Sequence, residues 1–78
     1  MSFAEKEMLS AIYDLGLGRA VLVPFDKVAA HLGTTITAVR TISMLLQNRN
    51  LAMVTFGGVQ LTPAGLNQAK DEHEVYTD

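Results

Sequence analysis

Cysteine and tryptophan are both absent from the 78 residues of this chain. Without thiols there are no disulfide frameworks, thiolate zinc sites, cysteine-ligated iron–sulfur clusters or thiol nucleophiles, and the redox compartment is unconstrained. No window approaches the ~20 apolar residues of a membrane span. The opening Met1-Ser2-Phe3-Ala4-Glu5-Lys6-Glu7 lacks the basic region and apolar run of a signal peptide, so a soluble cytoplasmic protein with no membrane partner is expected. Charge is scarce too: 18% of residues are charged against 49% hydrophobic, and the net charge is −2. That balance is too apolar for a disordered chain. The length suits one compact domain over 1–78, with no second domain to build a substrate cleft.

The charge that is present is unevenly placed. Asp71, Glu72, Glu74 and Asp78 crowd the end of the chain, and Glu5, Glu7 and Asp14 lie near its start with Lys6. Between them, residues 15–70 carry Arg19, Lys27, Arg40, Arg49 and Lys70 against Asp26 alone. A basic body beside an acidic tail points to an anionic partner; the plain alternative is ordinary surface solvation.

Local patterns give an element order. Ser2-Phe3-Ala4-Glu5 fits a capping box, and Met8, Leu9, Ile12 and Leu15 follow at helical spacing, so a helix over about 3–15 is expected, stopped by Gly16 and Gly18. Ala20-Val21-Leu22-Val23 reads as a short strand ended by Pro24. Phe25 to Leu32 reads as a short helix with Asp26 in its first turn and Gly33 as its stop. Thr35 caps a third helix running to about Arg49, with Val39, Ile42, Leu45 and Leu46 expected inward. Leu51–Phe56 and Val59–Thr62 around Gly57-Gly58 read as a hairpin with a two-residue primed turn, pairing Phe56 with Val59 and Val54 with Leu61. Thr62 then caps a last helix begun by Pro63. The acids after Asp71 oppose its macrodipole, so fraying and a mobile tail are expected there. The fold class that follows is mainly α with a small β-hairpin.

The run Val28-Ala29-Ala30-His31-Leu32-Gly33-Thr34-Thr35-Ile36-Thr37-Ala38-Val39-Arg40 carries more information. Ala29 is small where two helices would cross, Gly33 accepts left-handed turn geometry, and Val28, Leu32, Val39 and Ile42 form an apolar wedge. With this run in the order helix, short strand, helix, helix, two-stranded wing, helix, the chain resembles a winged helix-turn-helix. Leu46-Gln47-Asn48-Arg49-Asn50-Leu51 and Val59-Gln60-Leu61-Thr62-Pro63-Ala64-Gly65 are similar to the reading-helix end, wing and last-helix start of bacterial multiple-antibiotic-resistance-type and iron-dependent-repressor-type regulators. The resemblance covers nearly the whole chain.

It implies a sequence-specific regulator of transcription that binds double-stranded DNA, with the reading helix at Thr35 through Asn48. Thr35, Thr37, Arg40, Thr41 and Met44 would then face the major groove. Threonine hydroxyls suit phosphate or bases, Arg40 suits guanine O6 and N7, and Met44 suits a thymine methyl. Lys27, Arg19 and Arg49 would contact phosphates. Thr37 and Thr41 also fit an inert exposed face, and Met44 a partner or core contact. The wing tip Phe56-Gly57-Gly58-Val59 holds no cation, and three or four neutralised phosphates would give a salt slope of about −3. Useful affinity would then need a dimer or a second partner, and the resemblance implies a homodimer through the first and last helices. The alternative is a protein interaction module in which Met44, Met53, Phe56 and Val59 dock a protein partner.

Other chemistries find little support. His73 sits among acids that point elsewhere on a helix, and His31 reads as exposed or phosphate-facing, so no metal and no cofactor is expected. Gly16-Leu17-Gly18 precedes a strand instead of following one, unlike a phosphate loop. No paired carboxylates, Ser–His–Asp set or P-loop occurs, so an enzyme is not expected.

Overall fold

A computed structural model describes the backbone of residues 1–75 and the side chains of residues 1–72. The elements are α1 (Phe3–Leu15), β1 (Val23–Pro24), α2 (Phe25–Leu32), α3 (Ile36–Asn48), β2 (Ala52–Val54), β3 (Gly58–Leu61) and α4 (Pro63–Val75). The chain is mainly helical, with one small antiparallel sheet of strand order β1-β3-β2.

The helices begin and end where local chemistry says they should. Ser2 caps α1 in a complete capping box: the Glu5 N–H donates to Ser2 Oγ at 3.2 Å, and the Ser2 N–H donates to Glu5 Oε1 at 3.0 Å. Thr35 Oγ1 caps α3 by accepting from the Ala38 N–H at 3.1 Å. Between α2 and α3, Gly33 sits at φ 67°, a conformation costly for a residue with a Cβ. The Thr34 N–H donates to the Ala29 carbonyl and the Gly33 N–H to the Ala30 carbonyl. These bonds use the last carbonyls of α2 and turn the chain sharply into α3. Asn50, at φ 62°, ends α3 the same way, with the Leu51 N–H donating to the Leu46 carbonyl.

α1 packs against α2, α3 and α4. Met8, Leu9 and Ile12 of α1 meet Val28 of α2, Val39 and Leu46 of α3, and Val59 and Leu61 of β3 in one fully buried core. Each such side chain stabilises the fold by about 1.5–3 kcal/mol relative to exposure. Ala29 is also buried and Leu32 and Ile42 pack at the core edge, so the apolar wedge between α2 and α3 forms as expected. The inward stripe of α3 needs a correction, however. Leu45 is exposed, and Ser43 takes a fully buried position between Val39 and Leu46. At 3.6 residues per turn, positions 39, 43 and 46 share a face that position 45 leaves.

The strands depart from expectation in three ways. β1 is not Ala20–Val23: Val21 and Leu22 are exposed, and pairing begins at Val23 and includes Pro24, opposite Val59 and Gly58. An edge strand tolerates proline, whose missing N–H can face away from the ladder. The hairpin register is Ala52 with Leu61, Met53 with Gln60 and Val54 with Val59, two residues from the expected pairing. A two-residue slip keeps every side chain on its own face, so the apolar side still meets the core. Gly57 and Gly58 do not adopt positive φ. A Cβ on Gly58 would lie 2.5 Å from the Val23 carbonyl oxygen, so glycine is needed there for the close approach of β1. Phe56 consequently stands in the turn instead of pairing with Val59.

Thr62 joins α3 to α4. Its hydroxyl accepts from the Gly65 N–H at 3.0 Å and donates to the Asn50 carbonyl at 2.7 Å. α4 is helical to Val75, past Asp71, Glu72 and Glu74, and the tail beyond Tyr76 lies outside the described residues. Among the described residues, no helix is long and apolar enough to cross a membrane.

Candidate nucleic-acid interface

The outward face of α3 is set by its buried one. With Val39, Ser43 and Leu46 turned to the core, Thr37, Thr41, Met44 and Asn48 fall on the opposite side, and all four are exposed. Thr35 is exposed but its hydroxyl is engaged as the helix cap. The Thr41 hydroxyl donates back to the Thr37 carbonyl at 3.0 Å, which leaves its lone pairs as acceptors.

Arg40 lies on the flank of this face, towards α2. Its guanidinium carbon is 5.4 Å from the centroid of the Phe25 ring, within cation–π range. Phe25 is itself buried, and its N–H donates to the Gly57 carbonyl at 3.2 Å. The first residue of α2 thus supports Arg40 with its ring and the β2–β3 turn with its backbone. Lys27 is exposed two residues along α2, next to Asp26, whose carboxylate accepts the Lys27 N–H at 2.9 Å. No protein-family model, curated protein or solved structure matches the chain.

The hairpin is firmly seated beside this surface. Gln47, near the end of α3, accepts the Val54 N–H on its side-chain oxygen at 2.7 Å. The Thr55 N–H and hydroxyl both donate to the Gly58 carbonyl, at 2.9 and 3.1 Å. Phe56 at the tip is completely exposed. Met53 and Met44 are also about half exposed, whereas Val59, grouped with them from the sequence, is fully buried in the core.

The remaining sequence candidates have surroundings of their own. Arg49, at the end of α3, donates from Nε to Glu5 Oε2 at 2.7 Å. This hydrogen bond, then the Ser2 N–H, holds the Glu5 carboxyl down at about 2 from an ordinary 4.5. Arg49 thereby clamps α3 to the start of α1, which is a structural role. Sequence reasoning missed that pairing, because nothing local links positions 44 residues apart. Arg19 is exposed in the turn after α1, where Leu17 and Gly18 adopt positive φ. His31 is exposed at the end of α2, and the side chain of His73 lies outside the described residues. Among the described residues no three His, Asp or Glu side chains gather as a metal site.

Proposed function

We propose that this chain is a winged helix-turn-helix regulator that binds double-stranded DNA, with α3 in the major groove and the β2–β3 hairpin as the wing. The observation that carries the reading is the α2–α3 corner. A left-handed Gly33 sets the turn, and the helix beyond it presents Thr37, Arg40, Thr41 and Met44 outward while its other face is anchored in the core. A helix so held fits the major groove and offers hydroxyls, a guanidinium and a methyl-contacting thioether to base edges. Arg40 is the chief reader, and Lys27 and Arg19 supply phosphate contacts. Arg49 stays a candidate phosphate contact: its Nε donates to Glu5, and its side chain is half exposed.

So few cations give low affinity per chain, and the working form is a homodimer through α1 and α4 on paired half-sites. Selection from a random duplex library with the wild-type protein tests the reading. Enrichment of one motif, as an inverted or direct repeat, is the expected result; a pool that stays random after repeated rounds contradicts it.

A second reading is favoured by the uncharged hairpin and its exposed Met53 and Phe56. In it the chain is a protein interaction module that does not bind DNA. Arg40→Ala would then be silent in any binding assay, and Met44→Asp would abolish capture of the partner.

A further inference from the structure

We infer that the outer edge of β1 is a contact between two copies of this chain, joining their sheets antiparallel about a twofold axis at Leu22. The inference goes beyond the DNA-binding reading and does not depend on it, and it concerns a surface other than α1 and α4. The sheet order β1-β3-β2 leaves two edges, and they are built differently. β2 is covered by α3, whose Gln47 side chain takes the outward Val54 N–H. β1 packs on β3 and on the start of α2. The Phe25 N–H donates to the Gly57 carbonyl, continuing the register of Val23 with Val59 and Pro24 with Gly58. Hydrogen-bonded and non-bonded pairs alternate along an antiparallel ladder, so Val23 and Phe25 turn their backbone groups to β3 while Leu22 and Pro24 turn theirs to the open edge. Leu22 makes no backbone hydrogen bond among the described residues. An edge with unpaired backbone groups is a template for another strand.

The segment Arg19-Ala20-Val21-Leu22-Val23-Pro24-Phe25-Asp26 is complementary to itself. Its one cation and its one acid stand at opposite ends, and both are exposed. Antiparallel pairing with a second copy brings each Arg19 towards the other copy's Asp26, whereas parallel pairing would set like charges together. Pro24 selects the register. It has no N–H to give, so placing Leu22 opposite Pro24 would leave the Leu22 carbonyl without a donor. With Leu22 opposite Leu22, each N–H donates to the other's carbonyl, and the Ala20 N–H meets the Pro24 carbonyl. The same register brings the two half-exposed Leu22 side chains together on one face and sets Val21, also nearly half exposed, against Val23 on the other. The charged side chains that commonly blunt an open edge are absent between Arg19 and Asp26.

The contact is small, so association should be reversible and in the micromolar range. Sedimentation velocity of the full-length protein over a concentration series, without DNA, tests it. Leu22→Asp should weaken association about ten-fold or more at unchanged thermal stability, because Leu22 is half exposed. Arg19→Asp should weaken it by about as much, and Arg19→Asp combined with Asp26→Arg should restore it. A mixture of wild-type and doubly substituted chains, one of them fluorescently labelled, should sort into like pairs. A wild-type protein that stays monomeric throughout the series overturns the inference. Association that Leu22→Asp and Arg19→Asp leave unchanged also overturns it, by putting the contact on another surface such as α1 and α4. So does failure of the double substitution to rescue Arg19→Asp in a chain whose Tm matches wild type, or free mixing of the two forms.

Discussion

Ser43→Ala should stabilise this protein. Ser43 is fully buried on the core face of α3, and its hydroxyl has no hydrogen-bond partner. A desolvated hydroxyl left unpaired costs about 1–3 kcal/mol, and alanine is the better helix former by a few tenths of a kcal/mol, within a scale of about 0.7. Against this stands the void left by one oxygen atom, worth only a few tenths at about 24 cal/mol per Å³. The net expectation is a gain of about 1–2 kcal/mol, which for a domain of this size raises Tm by roughly 5–15 °C. Thermal and urea unfolding followed by far-UV circular dichroism measures both quantities. A lower Tm would refute the reasoning, since it would mean that the hydroxyl is satisfied in the native state. Under the proposed DNA-binding function, affinity should not change, because Ser43 faces away from Thr37, Thr41 and Met44.

Two further substitutions examine the packing and the charge clamp. Gly58→Ala should cost about 1–3 kcal/mol by overpacking, because the new Cβ would press on the Val23 carbonyl; an unchanged urea midpoint would mean that β1 moves aside freely. The Glu5 carboxyl is held at about 2 against an ordinary 4.5, so its contribution to stability is complete above about 4.5 and is lost as pH falls through about 2. Wild-type Tm should therefore drop more steeply than that of Glu5→Gln over this acid range, and parallel curves would show that the Arg49 clamp does not favour the ionised form.

Most of the helical framework was legible because each boundary has a local cause. Ser2 with Glu5, Gly33, Thr35 and Thr62 each act within a few residues, and the spacing of Met8, Leu9 and Ile12 marks one buried face. Most of the misreadings involve contacts that no local pattern encodes, and the one at Leu45 ignored helical phase. Gly57-Gly58 looks like a primed turn until β1 crosses Gly58 and needs the room. Leu45 outranks Ser43 by hydrophobicity, yet helical phase with Val39 and Leu46 puts Ser43 inside. The outward residues of α3 could be named once its buried stripe was roughly known. The ring of Phe25 beneath Arg40, and Glu5 against Arg49, join elements far apart in sequence. The first supports a candidate reader and the second engages the Nε of a candidate phosphate contact.

The central claim is that α3 binds DNA through Arg40. Fluorescence anisotropy of a labelled mixed-sequence duplex, titrated at two salt concentrations with wild type and with Arg40→Ala, tests it most directly. Salt-sensitive binding by wild type, weakened by about 1–3 kcal/mol and with a shallower salt slope in the variant, is the predicted result. No wild-type binding at micromolar protein in low salt, or equal binding by the two proteins, would contradict it.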